Sequence, residues 1–166
     1  MIDIEIRRAR RNEACEAAEL VRVALGEGAE RLWAQDAAAN ESGLQAAART
    51  MARADAPLPL SAVHLATLDA MPAGLLLSRP EAASRGWRIV ALAVYPEYRG
   101  MGLGRRLMRL SETLARAHEA TRLELKLPTD AAAARGFFEA QGFRAIGTPS
   151  GGRLSKPLGE SWAVAA

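Results

Sequence analysis

Residues 89–104 read Ile89-Val90-Ala91-Leu92-Ala93-Val94-Tyr95-Pro96-Glu97-Tyr98-Arg99-Gly100-Met101-Gly102-Leu103-Gly104, and their order decides the fold. An apolar run of strand length comes first, then a glycine loop. A helical pattern follows, with apolar positions at Leu103, Leu107, Leu110 and Leu114. Glycines let the backbone turn tightly and approach a ligand closely. The first N–H groups of a helix have no internal acceptor and bind anions. Arg105 and Arg106 fall in the first turn, where a cation costs about 0.3–1 kcal/mol against the helix dipole. A bound phosphate reverses that sign. The plain alternative is a tight turn with two solvated arginines.

Two common glycine loops do not fit. A mononucleotide loop ends in Gly-Lys followed by Ser or Thr, whereas Gly104 is followed by Arg105 and Arg106. The dinucleotide fingerprint needs a further glycine three residues on. That position is Arg105 when counted from Gly102 and Leu107 when counted from Gly104. What remains is Arg-x-x-Gly-x-Gly, and here the chain resembles the GNAT acetyltransferase superfamily. Residues 134–143, Ala-Arg-Gly-Phe-Phe-Glu-Ala-Gln-Gly-Phe, resemble that superfamily's second signature, Ala-x-x-x-Tyr-Glu-x-x-Gly-Phe. Residues 153–158 resemble its last strand.

The resemblance implies one α+β domain over residues 1–166. Its mixed, mostly antiparallel sheet would carry helices on both faces and splay between strands four and five. It implies acetyl-CoA as co-substrate, held by main-chain groups of Leu92, Ala93 and Val94 and by Arg99, Gly100, Met101, Gly102, Leu103, Gly104 and Arg105. It implies acetyl transfer to a primary amine of a small molecule or peptide, in the cytoplasm, with a homodimer as an open option.

Composition bounds these expectations. A chain of 166 residues buries about 68–70% of its unfolded surface as one domain. The net charge is +3 with arginines scattered along the chain, so nucleic acid is not expected as a partner. No apolar run reaches membrane-spanning length and the start, Met1 to Ile6, alternates like a strand. The lone Cys15 rules out an intrachain disulfide and fits a reducing compartment. No His/Cys cluster has metal-ligand spacing, so no metal is expected.

Along the chain, Ile2, Ile4 and Ile6 alternate with charges as a first strand. Asn12 is placed to cap a helix through Cys15 and Leu25, broken by Gly26 and Gly28, and a second helical region spans residues 29–54. Val63, Leu65 and Thr67 lead to a turn over residues 69–72, with Gly74-Leu75-Leu76-Leu77 as the returning arm. The strand feeding the glycines spans residues 87–95. Leu123, Leu125 and Leu127 alternate with Arg122, Glu124 and Lys126 before Pro128. Thr129 or Asp130 is placed to cap a helix ending at Gly142, with Phe143 packing back on it. Residues 144–147 and 153–158 read as closing strands.

Acid and base are where the chain departs from the superfamily. The tyrosine that often serves as acid falls at Phe138, which has no proton to give, and the asparagine seven residues earlier falls at Ala131. Tyr95 and Tyr98 flank the loop as substitutes. No carboxylate lies in residues 89–94. The base candidates are His64, whose pKa suits the task, Glu124 on the next strand, and a water chain. Glu124 between Arg122 and Lys126 also reads as part of a salt-linked solvated face, and His118 as structural. A second function class fits the same loop: a non-catalytic domain that binds or senses CoA. The resemblance implies that the acceptor meets the first two helices, the loop between them and the hairpin, which here are residues 26–31, Trp33 and the residue 69–72 turn.

Overall fold

A computed structural model describes residues 1–10, 13, 16, 20, 62–81, 83–127, 132–148 and 152–159. The helices expected between Asn12 and Ala54, with Cys15 and Trp33, lie outside these residues except for Glu13, Glu16 and Leu20. So do Pro128, Thr129, Asp130 and Ala131. The described elements are β1 (Ile4–Arg8), β2 (Ala62–Leu68), β3 (Met71–Pro80), β4 (Gly86–Val94), a 3-10 turn (Pro96–Tyr98), α1 (Leu103–Ala117), β5 (Arg122–Lys126), α2 (Ala132–Ala140), β6 (Arg144–Ala145) and β7 (Arg153–Pro157).

They form a seven-stranded sheet in the order β1-β2-β3-β4-β5-β7-β6. All neighbouring strands are antiparallel except β4 and β5, which are parallel and joined by α1. This is the mixed α+β sheet expected from the sequence. Its first face carries an apolar cluster built from Leu76, Ile89, Leu123, Leu125 and Leu154 under Leu103, Leu107 and Met108 of α1 and Phe138 of α2. The second face carries a separate cluster of Val63, Leu65, Leu75, Leu77, Ala91 and Ala93, joined by Ala9 and Leu20. Leu20 is helical and fully buried, so helical chain also meets the second face.

Both helices end in the same way. In α1, Ala120 N–H donates to Ala115 O (2.9 Å) and Glu119 N–H to Arg116 O (3.0 Å), with Glu119 at φ +57°. In α2, Phe143 N–H donates to Phe138 O (3.1 Å) and Gly142 N–H to Glu139 O (3.0 Å), with Gly142 at φ +97°. This paired closure satisfies last-turn carbonyls and needs a left-handed residue just past the helix. Gly142 supplies that residue. Phe143, fully buried, then packs edge-on against Phe138 with ring centroids 5.5 Å apart. The Gly-Phe pair of the second signature is thus a helix stop and its apolar lock.

Some boundaries differ from the sequence reading. The turn contracts to Asp69 and Ala70, at φ +47° and +67°, and β3 resumes at Met71. Two positive-φ residues match the twist of the strands they join, so a two-residue turn suffices. The closing strand read over residues 144–147 stops at Ala145, ahead of Gly147 at φ +76°.

Candidate functional site

Two features of β4 prepare the site. The first is a bulge: Ser78 of β3 faces Ile89 while Leu77 faces Ala91, leaving Val90 as the extra residue. A bulge shifts the alternation by one residue. Before it, Trp87 and Ile89 face α1; beyond it Leu92 and Val94 do, and Ala91 and Ala93 turn to the second face.

The second is the splay. β4 and β5 pair only at Gly86–Arg122, Trp87–Leu123 and Arg88–Glu124. Past Arg88 the β4 edge facing β5 is open. Tyr95 N–H donates to Ala73 O on β3 at 2.9 Å. By the period-two alternation of a strand, Ala93 also directs its main chain to β3, and Leu92 and Val94 direct theirs to the open edge. Independently, Arg99 Nε donates to Val94 O at 3.2 Å, which puts that carbonyl on the open side.

The chain then passes through the 3-10 turn into the glycine loop. Gly100 and Gly102 have φ of +80° and +81°, a conformation that costs a residue with a Cβ. A Cβ at either position would meet no atom within 4 Å, so the space over the loop is open. Gly102 caps α1 and its carbonyl accepts from Arg106 N–H at 3.1 Å. The amides of Leu103, Gly104 and Arg105 precede the first intrahelical bond and point out of the helix end. Gly104 has a different reason to be glycine: a Cβ there would stand 3.3 Å from the Phe137 ring. The small residue lets α2 close over the start of α1.

These parts enclose a cleft of about 540 Å³. Leu92, Ala93, Val94, Arg99, Gly100, Gly102, Leu103 and Gly104 of the sequence-predicted set line it, as does Tyr98. Met101 and Arg105 do not line it; both are exposed beside it. The far wall is Ala132, Ala133, Ala134, Phe137 and Phe138 of α2. Sequence reasoning used α2 as a family signature and missed it as a wall. The alanine run at its start was the available signal.

The structure does not bring the two base candidates into the cleft. His64 faces Arg8 and Leu76 across β2, and Leu76 in turn faces Leu92, so His64 sits two strands, roughly 10 Å, from Leu92. It is buried, its Nδ1 has no hydrogen-bond partner among the described residues, and burial, aided by nearby Arg8, holds its pKa below the ordinary value. Glu124 is salt-linked, as its charged neighbours suggest, but it is buried, at 7% exposure, rather than solvated. Arg122 Nε donates to one of its oxygens and Arg153 stands 3.4 Å from the other. Burial raises its pKa, but the two guanidinium groups outweigh that and the net direction is down. His118 closes α1 and stacks on Trp87 with ring centroids 4.9 Å apart, the structural role expected of it. Among the described residues no group of His, Cys, Asp or Glu is arranged to hold a metal, and no helix is long and apolar enough to cross a membrane.

A parallel strand pair that splays, followed by a glycine loop and helix start, defines a fold class with known members. The model of the acetyltransferase (GNAT) family matches residues 45–143, and the chain belongs to that family. Among solved structures it is similar to PaiA N-acetyltransferase from Thermoplasma acidophilum in complex with coenzyme A. The identity is 16%, the match covers 94% of this chain and 99% of that one, and the TM-score is 0.76. It is similar to the ribosomal-protein-S18-alanine N-acetyltransferase from Escherichia coli at 17% identity, 96% and 98% coverage and TM-score 0.66. With nourseothricin acetyltransferase it shares 29% identity over 60% of this chain and 66% of that one, at TM-score 0.54. No protein of curated function matches the sequence.

Proposed function

We propose that the protein transfers an acetyl group from acetyl-CoA to a primary amine of a small molecule or peptide, in the cytoplasm. The observation that carries this reading is the open β4 edge running directly into an unblocked glycine loop. The residues fit such a donor. A cleft of about 540 Å³ falls in the range of ligand pockets. The space over Gly100 and Gly102 is free, and α1 has no acidic residue in its first turn, so its amides and Arg105 suit a pyrophosphate.

The donor supplies an activated thioester. In this reading the Leu92 and Val94 main chain holds the pantetheine arm, with an N–H available to the thioester oxygen as charge builds there. The amine nitrogen forms a bond to the acetyl carbon, the carbon–sulfur bond breaks, and the sulfur leaves as thiolate or, once protonated, as thiol. Tyr98 lines the cleft beside the loop and is assigned as the proton donor to sulfur. No carboxylate or histidine lines the cleft among the described residues, so the ammonium proton is assigned to water. His64 and Glu124 are assigned supporting roles, the first in the sheet and the second as anchor of Arg122 and Arg153.

One observation favours a second reading, a CoA-binding domain without catalysis: Phe138 stands where the family's tyrosine is expected, buried and edge-on to Phe137 and Phe143. Thiol release from acetyl-CoA, followed against a panel of amines, separates the two. Amine-dependent release supports transfer. Tight acetyl-CoA binding with no release above the blank for any amine supports the second reading.

A further inference from the structure

The second face of the sheet changes character at the splay. On β2–β4 it carries the apolar cluster that packs against Ala9 and Leu20, and its charged members at the margins, Arg7 of β1 and Arg88 of β4, are each paired with a glutamate. On β5, β7 and β6 none of the described residues joins that cluster. Leu123, Leu125 and Leu154 point to the first face, so Arg122, Glu124 and Lys126 of β5 point to the second. Residues opposite one another on paired strands share a face. Lys126 faces Arg153, and Glu124 faces Ser155, which faces Arg144. Arg122, Lys126, Arg144 and Arg153 therefore share one sheet surface; among the described residues of β5, β7 and β6 Glu124 is its single carboxylate, and Arg88 of β4 borders it, paired with Glu81. Lys126, Arg144 and Arg153 are exposed. Glu124 is buried beneath Arg122 and Arg153, so among the described residues what meets solvent on these strands is basic.

This surface begins where β4 and β5 part. On the first face the cleft is walled by α1 and by Phe137 and Phe138 of α2. An acceptor reaching the open edge from the second face would lie along the basic strands. The cations are spread over three strands, roughly 10 Å across, and over residues two apart, roughly 7 Å. One compact anion spans little of that. An extended chain places alternate side chains at the same spacing.

We propose that this surface recognises an acidic peptide segment next to the amine that is acetylated, so that the acceptor is a protein or peptide rather than a small cationic amine. The inference rests on the acetyl-transfer reading above. A nucleic acid would match the charge, but its bases offer no aliphatic amine to the cleft.

The test uses the whole chain saturated with CoA and two fluorescent peptides with free α-amino groups, one of alternating Ala-Glu and one of alternating Ala-Gln. Anisotropy should show the acidic peptide binding at least about tenfold more tightly at low salt, with the preference collapsing as salt screens it. Arg144→Glu should weaken the acidic peptide about fivefold, since an exposed charge pair is modest and reversal doubles its effect. Arg116→Glu makes the same charge change at the end of α1, away from this surface, and should cost less than about twofold. Equal binding of the two peptides overturns the proposal. So does an equal effect of the two variants, which would mean net charge alone. So does displacement of the acidic peptide by a single-stranded oligonucleotide that binds more tightly. Acetyl-CoA affinity measured on the same samples keeps the readings apart. Its absence refutes acetyl transfer, while intact affinity with no peptide preference refutes only the acidic acceptor.

Discussion

Arg88 of β4 and Glu124 of β5 are the last residues to face each other across the parallel pair; beyond them the two strands part. Everything assigned to the site follows from that parting. The β4 edge loses its partner, Leu92 and Val94 turn their main chain into the gap, and the glycine loop stands at the end of it. Arg88 is engaged by Glu81 at 2.7 Å and Glu124 by Arg122 and Arg153, so the last pair is held by charge on both sides.

Phe138 is expected to act as a packing residue. Its ring meets Phe137 at 5.2 Å and Phe143 at 5.5 Å, both edge-on, and it is 6% exposed. Phe138→Ala should lower stability by about 3–5 kcal/mol, measured by urea denaturation. An unchanged midpoint would place Phe138 outside the core.

His64 should make stability depend on pH in one direction. Burial lowers its folded-state pKa below 6.5, so the unfolded chain binds the proton more readily. Stability from this residue is complete above the unfolded pKa and is lost as pH falls below about 6.5. The melting temperature should drop between pH 7.5 and pH 5.5, and His64→Leu should flatten that part of the profile. A variant profile parallel to the native one would refute the assignment. Glu124 acts in the same direction lower down: its depressed pKa gives stability that is present above the ordinary carboxylate pKa and lost as pH falls through the folded value.

Much of this arrangement was legible in the sequence because it is local. The alternation of Leu123, Leu125 and Leu127 marks β5, and Gly142 with Phe143 marks the end of α2. What was not legible depends on distant partners. Nothing in residues 89–94, an unbroken apolar run, marks Val90 as a bulge; its register against Ser78 and Leu77 does. Glu124 read as solvated because charges flank it, yet Arg153, from a strand 29 residues on, covers it. Gly104 read as part of a phosphate loop, and its contact with Phe137 is seen only when α2 packs.

The rate of transfer should rise with pH, since only the neutral amine attacks and no carboxylate or histidine among the described residues lines the cleft. For a lysine side chain, pKa near 10.4, kcat/KM should climb about tenfold per unit through pH 9; for an α-amino group it should level off near pH 8. Tyr98→Phe should lower kcat about 10²-fold, the lower end for a lost proton donor, with little change in KM. A flat profile from pH 6 to 9 with chemistry rate-limiting would mean that the acceptor is not a basic amine or that a strongly perturbed base serves it.

The most direct measurement is calorimetric titration of acetyl-CoA into the native protein, Gly102→Glu and Gly147→Glu. Gly102 and Gly147 both have positive φ, +81° and +76°, and a Cβ at either meets open space. The two substitutions therefore carry a similar backbone cost, about 1–2 kcal/mol, and the same added charge. Only Gly102 lines the cleft, where a carboxylate would occupy the anion site at the start of α1. The account predicts binding to the native protein and to Gly147→Glu, and none to a folded Gly102→Glu. Equal affinity for all three would contradict it.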